Sequence, residues 1–209
     1  MWSWIPGNGA MIWQLTYETA YLGVVSALIG LVISLPLGIV AARWRWLRPP
    51  VLTVVNVVYA IPALALFIAL IPSLGLTDTN AMVALTLYSL CVITPNVAAG
   101  IRGVPPSVRQ AAMAMGFGPV RRLLTVELPL AAPVIIAGLR VGVVSGISLT
   151  SIAQLIGVSS LGYLFIDGEQ RSFPTEIWVG LVLVIALALA CDLVLLGVRR
   201  AITPWTARA

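Results

Sequence analysis

The chain alternates long apolar runs with short polar segments that carry most of its arginines. Read with a window of about 19 residues, the apolar runs predict five membrane-spanning helices, at residues 16–42, 50–71, 80–101, 130–156 and 176–198. A helix of about 20 apolar residues crosses the roughly 30 Å hydrocarbon layer of a bilayer. The pattern therefore predicts an all-α polytopic membrane protein, with residues 1–209 forming one transmembrane domain.

The positions of the arginines predict the orientation. Ten of the twelve basic residues fall on one side of the membrane if the N-terminus lies outside, and the other side then receives Arg171 and most of the acids. The ten are Arg43, Arg45, Arg48, Arg102, Arg109, Arg121, Arg122, Arg199, Arg200 and Arg208. Because cytoplasmic loops retain positive charge, the chain is predicted to run N-outside and C-inside.

Aromatic residues fall near both predicted membrane interfaces, where tryptophan and tyrosine are enriched. The outer set is Trp2, Trp4, Trp13, Tyr17 and Trp178, and the inner set is Trp44, Trp46 and Trp205.

Composition excludes several classes of protein. Of the 209 residues, 60% are hydrophobic and 9% charged, whereas a soluble domain has about 25% charged residues. All the basic residues are arginine, so the chain has no phosphate-binding loop of the Gly-Lys-Ser/Thr type and is not expected to be a P-loop ATPase by itself. There is no histidine, and Cys91 and Cys191 lie in separate apolar runs, which does not fit a metal site or a disulfide framework. Topology accounts for the net charge of +5, so nucleic-acid binding is not predicted.

The segment 102–129, between the third and fourth predicted spans, describes a short helix with defined ends. Ser107 is the predicted N-cap, with Gln110 three residues later completing a capping box. Gly116 is expected to end the helix in a left-handed turn, and Pro119 suits the first turn of a second helix.

This short helix needs a surface to cover its apolar stripe, because so short a helix is marginal in water. The stripe consists of Val108, Ala111, Ala112 and Met115. Two surfaces remain open from the residues alone, the lipid interface or a groove on a cytoplasmic partner. Helices that lie on lipid usually carry bulky residues, so the small side chains here favour a protein partner.

The same segment resembles a loop pattern of the permease subunits of ABC importers, Glu-Ala-Ala-x3-Gly-x9-Ile-x-Leu-Pro. Gln110-Ala111-Ala112, Gly116 and the run from Val126 to Pro129 fall at these spacings, with Gln110 replacing the glutamate and Val126 the isoleucine. Further runs resemble permeases for glycine betaine, carnitine and choline: YAIPALAL at 59–66, LYSL at 87–90, GIRGV at 100–104, GLR at 138–140, AQLIG at 153–157 and LG at 161–162.

The resemblance implies a type I importer fold in a bacterial inner membrane. It implies a second permease subunit (a related chain or a second copy), a cytoplasmic ATPase dimer that holds ATP and Mg, and an extracytoplasmic substrate-binding protein. This chain is expected to bind no cofactor. Residues 107–116 would be the coupling helix in a groove of the ATPase, and its coupling residues would be Ser107, Val108, Gln110, Ala111, Ala112, Met115, Gly116 and Pro129.

Polar residues within the predicted spans are candidates for a translocation path or gate, because such residues are costly in lipid. Arg140 and Asp192 lie at similar predicted depth, so they are expected to pair, as a gate or as a packed ion pair of the bundle. The uncharged candidates are Tyr59, Tyr88, Asn96, Ser148 and Ser151. The two tyrosines offer cation–π attraction to a quaternary ammonium.

Other functions remain as alternatives. The chain could carry an amino acid or another small polar solute, since the loop pattern is widely shared. An ion-coupled secondary transporter is less favoured, because that class is typically built from repeats with ionisable groups at the midplane. A membrane enzyme is disfavoured, since no nucleophile–base pair or acid dyad is visible.

Overall fold

The computed structural model describes residues 4–204, and all regular secondary structure in that range is helical. Trp2, Trp205 and Arg208 lie outside the described residues. The helices are α1 (Trp4–Gly7), α2 (Gly9–Arg43), α3 (Arg48–Ala60), α4 (Ala63–Leu74), α5 (Asp78–Arg102), α6 (Pro106–Ala114), α7 (Pro119–Arg122), α8 (Leu128–Ala153), α9 (Gly162–Gln170) and α10 (Pro174–Ile202). A π-helical turn, Leu123–Glu127, joins α7 to α8, and a 3₁₀ turn, Gln154–Ile156, follows α8.

Four helices are long and apolar enough to cross a membrane: α2, α5, the continuous helix Pro119–Ile156 that contains α8, and α10. The predicted span at 50–71 differs from the other four. It is a broken pair, α3 and α4, whose axes meet at 96°. The described residues therefore supply four spans, or five if the bent pair counts as one.

Pro62 causes this break. The residue before a proline is driven out of the helical region by the proline ring, and Ile61 is extended, with φ −72° and ψ 128°. Pro62 itself has φ −57° and ψ 137° and precedes the first residue of α4. Pro62 lies within the predicted second span and interrupts its helix, whereas Pro36 and Pro95 remain inside α2 and α5.

The centre of the bundle is the contact between α2, α5 and α8. A buried apolar cluster joins the three helices and consists of Ala27, Ile93, Val97, Ile101, Ala131, Ile135, Leu139, Val143 and Ile147. The helices approach closely because glycines lie at the contacts, as the spacing of small residues predicts. A methyl group on Gly38 would lie 2.5 Å from Cβ of Val97, and one on Gly138 would lie 2.6 Å from Cβ of Asn96.

A second cluster closes the opposite end of the bundle from Arg43. Leu15 of α2 packs there with Leu161, with Leu164 of α9 and with Val179 of α10. The Thr19 hydroxyl accepts a 2.8 Å hydrogen bond from the backbone N–H of Leu161. This contact ties the loop before α9 to α2.

Asn80 holds α4 beside α5. Its side chain is fully buried, and its amide donates to the carbonyls of Phe67 at 3.2 Å and Gly75 at 2.8 Å. Buried backbone carbonyls require such partners, so this side chain fixes how α4 folds back after the break at Pro62.

The glycine contacts generate a prediction about stability. Gly38→Ala should lower the free energy of unfolding by about 1–3 kcal/mol, the usual cost of overpacking, because Val97 and the backbone of Ala98 leave no room for a methyl group. Gly197→Ala is the matched control, since nothing lies within 4 Å of its added methyl group and it also sits in a long helix. The measurement is thermal unfolding of the purified chain in detergent. Equal effects of the two substitutions would contradict the packing described.

Candidate functional site

A cavity of about 580 Å³ lies between the α3–α4 break, α5 and α8. Of the predicted path residues, Tyr59, Tyr88 and Ser148 line it, together with Ser89 and Ser145. None of the residues that line it is charged. Aromatic faces and serine hydroxyls without a competing charge can accommodate a small polar or cationic group by cation–π contact and hydrogen bonding.

The α3–α4 break builds one wall of this cavity. Breaking the helix at Ile61 frees its carbonyl, and the Tyr88 hydroxyl donates a hydrogen bond to that oxygen. Tyr59, at the end of α3, packs edge-on against Tyr88, with ring centroids 6.4 Å apart and planes at 72°. Tyr88 is buried and Tyr59 is 63% exposed, so Tyr59 presents most of its ring to the cavity opening.

The other predicted path residues lie away from the cavity. The amide of Asn96 donates to the carbonyl of Val92 at 2.8 Å, and its Cβ packs at Gly138. The Ser151 hydroxyl is buried without a hydrogen-bond partner among the described residues. Ser151 and Arg140 belong to α8 but are not among the residues that line the cavity.

Arg140 and Asp192 form the predicted interhelical pair. The guanidinium contacts the carboxylate through two bonds, Nε to Oδ1 at 2.7 Å and Nη2 to Oδ2 at 2.6 Å. Such a paired arrangement is the strongest form of this interaction. The pair joins α8 to α10. Neither residue lines the cavity, so the pair connects the two helices outside it.

The segment between α5 and α8 forms a short helix as predicted, but with a different start. Pro106 is its first residue and Pro105 its N-cap, so the predicted Ser107 cap and capping box with Gln110 were wrong. Proline is favoured at the first helical position because its fixed φ suits the helix and its missing N–H needs no partner there. Gly116 ends the helix in the predicted left-handed turn, with φ +78°, and Pro119 begins α7.

The residues of the predicted apolar stripe of α6 differ in how deeply they are buried. Ala112 is buried and Val108 is half-buried against the bundle. Ala111 is exposed, and Met115 and Met113 are 66% and 50% exposed. Ser107 and Gln110 are also exposed, whereas Pro129 is half-buried in the first turn of α8.

Glu127 was not among the predicted functional residues, yet its carboxylate is contacted by arginines from several elements. Its side chain is 4% exposed and contacts three guanidinium groups: Arg122 at 2.9 Å, Arg43 at 3.8 Å and Arg109 at 4.0 Å. Arg43 ends α2, Arg109 belongs to α6 and Arg122 to α7, so one carboxylate joins three elements. The sequence feature that could have identified this residue is that Glu127 is the only acid between Arg102 and Arg140.

The acidic residues gather at the other end of the bundle. Arg171 donates to Asp167 at 2.8 Å and lies 3.6 Å from the buried Glu176. The hydrogen bond that Arg171 donates to Asp167 raises the pKa of Arg171. Burial, and then the negative charge of Asp167, raise the pKa of the Tyr163 hydroxyl. The two ends of the bundle therefore differ in charge, since Arg171 is surrounded by acids whereas Glu127 is surrounded by arginines.

Comparison with known proteins gives consistent matches over most of the chain. The family described as "Binding-protein-dependent transport system inner membrane component" matches residues 34–208. The choline transport system permease protein OpuBB of Bacillus subtilis is 36% identical over 198 residues, covering 94% of this chain and 91% of that protein. The osmoprotectant import permease protein OsmW of Salmonella typhimurium is 32% identical over 202 residues, covering 94% of each. An inward-facing structure of the MetNI methionine ABC transporter superposes with a TM-score of 0.82 at 25% identity, covering 93% of this chain and 98% of that one.

The Arg140–Asp192 pair generates a prediction that a double-mutant cycle tests. Arg140→Leu or Asp192→Leu alone should lower the stability of the chain by up to about 2.5 kcal/mol, because each leaves an unpaired charge within a span. The double substitution Arg140→Leu/Asp192→Leu should recover most of that loss, since no unpaired charge remains. The readout is the unfolding midpoint in detergent. A double variant as unstable as the sum of the single variants would contradict the direct pairing.

Proposed function

The chain belongs to the family of binding-protein-dependent transport system inner membrane components, and we propose that it is the permease subunit through which an ATP-driven importer moves a small osmoprotectant such as choline, glycine betaine or carnitine. The observation that carries the proposal is the aromatic and uncharged cavity between α5, α8 and the α3–α4 break. Relatives named for choline and osmoprotectant transport support the same cargo class. The chain acts as a transport subunit, and a partner chain hydrolyses ATP.

We infer an N-outside, C-inside orientation from the distribution of charge. Arg43, Arg109 and Arg122 meet at one end of the bundle, and Asp167 and Glu176 lie at the other. Cytoplasmic ends of membrane proteins carry the excess of arginine, so the Glu127 end is assigned to the cytoplasm and α9 to the outer face. The substrate-binding protein then approaches the α9 end.

α6 is proposed as the helix that docks on the cytoplasmic ATPase dimer. Its outward face presents exposed Ala111, Met113 and Met115, and Val120 and Leu124 beyond it are 67% and 58% exposed. Small and flexible apolar side chains of this kind suit a protein groove. Ser107, Gln110 and Gly116 border the face, while Val108, Ala112 and Pro129 hold the segment to the bundle. ATP and Mg belong to the ATPase.

A second permease subunit, identical or related, is proposed to complete the path. The cavity is open on one side, and the helices of the broken pair beside it expose a run of large apolar residues, Val54, Val57, Tyr59, Leu64 and Ile68. Exposed apolar surface of this extent marks a contact with protein or lipid. A facing subunit would cover these residues and enclose the cavity.

Within this path, Tyr59, Tyr88 and Ser148 are proposed to contact the cargo. The methylated ammonium group shared by choline, betaine and carnitine is attracted to aromatic faces. Arg140 and Asp192 are proposed to hold α10 rather than to touch cargo, and Asn96 and Ser151 to pack between helices. The whole chain is proposed as one transmembrane domain.

An amino-acid cargo is the second candidate, because the structural match to a methionine importer is close. Uptake of radiolabelled choline, glycine betaine, carnitine and methionine, compared between cells that lack this chain and cells in which it is restored, separates the two. The proposal expects restoration of at least one methylated ammonium compound. Restoration of methionine uptake alone would contradict the proposed cargo, and uptake that persists without an ATPase partner would contradict the class of transporter.

The docking role of α6 generates a crosslinking prediction. In a chain with Cys91 and Cys191 replaced, Ala111→Cys should crosslink to the ATPase subunit of the purified complex, because residue 111 is exposed on the outward face of α6. Thr79→Cys, also exposed but at the start of α5, is the matched control and should not crosslink. The outcome that contradicts the proposal is crosslinking from residue 79 and none from residue 111.

The aromatic wall generates a prediction about transport. Tyr59→Leu should lower the maximal rate of choline uptake by about two- to fivefold, corresponding to loss of a partly exposed cation–π contact. Tyr59→Phe keeps the ring and should retain most of the rate. Tyr17→Leu removes an equally exposed tyrosine from α2, outside the cavity, and should have no effect. Equal rates for all three variants would show that the ring of Tyr59 does not meet the cargo.

A further inference from the structure

The arginines around Glu127 enclose a separate cavity of about 300 Å³. Its polar lining is Arg43, Arg109, Arg122 and Glu127, and Ala42 and Ile101 complete the wall. Three guanidinium charges against one carboxylate leave a formal surplus of +2 among the residues that line it. The carboxylate is buried, whereas the arginine side chains are 20–31% exposed, so the cavity is reached past the arginines.

Among the described residues, these arginines keep hydrogen-bond donors without a partner. Each guanidinium has five N–H groups. Arg122 bonds Glu127 through Nε at 2.9 Å, and Arg43 donates one N–H to the carbonyl of Pro119 at 3.3 Å. Arg109 donates one N–H to the carbonyl of Ile101, while its buried Nε has no hydrogen-bond partner in the described part of the chain.

The cavity lies where the apolar parts of three helices end. α2 ends at Arg43, α5 ends at Arg102, and α8 begins at Leu128. Trp44 and Trp46 follow Arg43 directly and are 48% and 72% exposed. Tryptophans are enriched at the level of the lipid headgroups. The neighbouring tryptophans therefore indicate that the positively charged cavity lies at the level of the lipid phosphates.

We propose that the cavity binds an anionic phosphate group, held by Arg43 and Arg109 and supported by Arg122, which Glu127 orients. The planar guanidinium matches two phosphate oxygens at once, and basic pockets between membrane helices bind phospholipid headgroups. The phosphate bridges the end of α2 to α6 and so fixes α6 against the bundle. A phospholipid headgroup and free phosphate share this chemistry, and the site does not depend on the identity of the cargo.

The test compares two double variants that lose the same charge on the same side. Arg43→Gln/Arg109→Gln takes the formal charge of the cavity from +2 to zero and leaves the Arg122–Glu127 pair intact. Arg45→Gln/Arg48→Gln removes two exposed arginines outside the cavity and is the control. Native mass spectrometry measures phosphatidylglycerol retained by the full chain, with its co-purifying subunits, in phosphatidylcholine nanodiscs.

The cavity variant should bind phosphatidylglycerol at least about tenfold more weakly than the unmodified chain, because it loses both guanidinium groups that hold the phosphate by paired bonds. The control should bind like the unmodified chain, because Arg45 and Arg48 do not line the cavity. An equal loss in both, or no loss in either, would overturn the site. In a second arm, inorganic phosphate is titrated. Displacement of the lipid that depends on Arg43 and Arg109 identifies a soluble source, and no displacement identifies the lipid.

If the glutamine variant fails to fold, Arg43→Lys/Arg109→Lys keeps the charge but loses the paired N–H groups. Its preference for phosphatidylglycerol over phosphatidylcholine should fall several-fold, because an ammonium group cannot make the two parallel bonds. An unchanged preference would overturn the proposed geometry.

Discussion

The close approach of α2, α5 and α8 is the constraint on which the rest of the structure depends. Glycines at the contacts, among them Gly38 and Gly138, remove the side chains that would keep these helices apart. In lipid, helix association relies on such packing because the surrounding hydrocarbon offers no hydrophobic driving force. Once these three helices are fixed, the bent α3–α4 pair has one flank of α5 left to occupy, and the cavity forms in the angle of the bend.

Ion pairs join α10 and α6 to this bundle. Few residues of α10 are fully buried, and the Arg140–Asp192 pair adds a polar contact with α8 to the apolar packing of Leu187, Cys191 and Leu195. Glu127 has the same role for α6, since it contacts arginines from α2, α6 and α7. This buried carboxylate is therefore a polar link between α6 and α2.

Much of the fold could be predicted from the sequence because apolar length and arginine position are direct consequences of the bilayer. The predicted second span is present as a bent pair, and hydropathy did not give the size of its bend, since hydropathy measures how apolar a run is and not whether its backbone is continuous. Ser107 was predicted as a cap because its side chain suits that role, but the two prolines before it place the N-cap two residues earlier, at Pro105. The cavity was predicted in part: Tyr59, Tyr88 and Ser148 meet because the bend brings them together, and no local pattern encodes the bend angle.

The proposed transport depends on energy supplied by a partner ATPase. The most direct measurement is accumulation of radiolabelled choline in proteoliposomes that contain the complex purified through this chain, with the substrate-binding protein supplied on the outer side. The account predicts accumulation that requires internal ATP and Mg and that stops when the ATPase subunit is removed. Accumulation driven by an ion gradient without ATP, or purification of this chain with no ATPase attached, would contradict it.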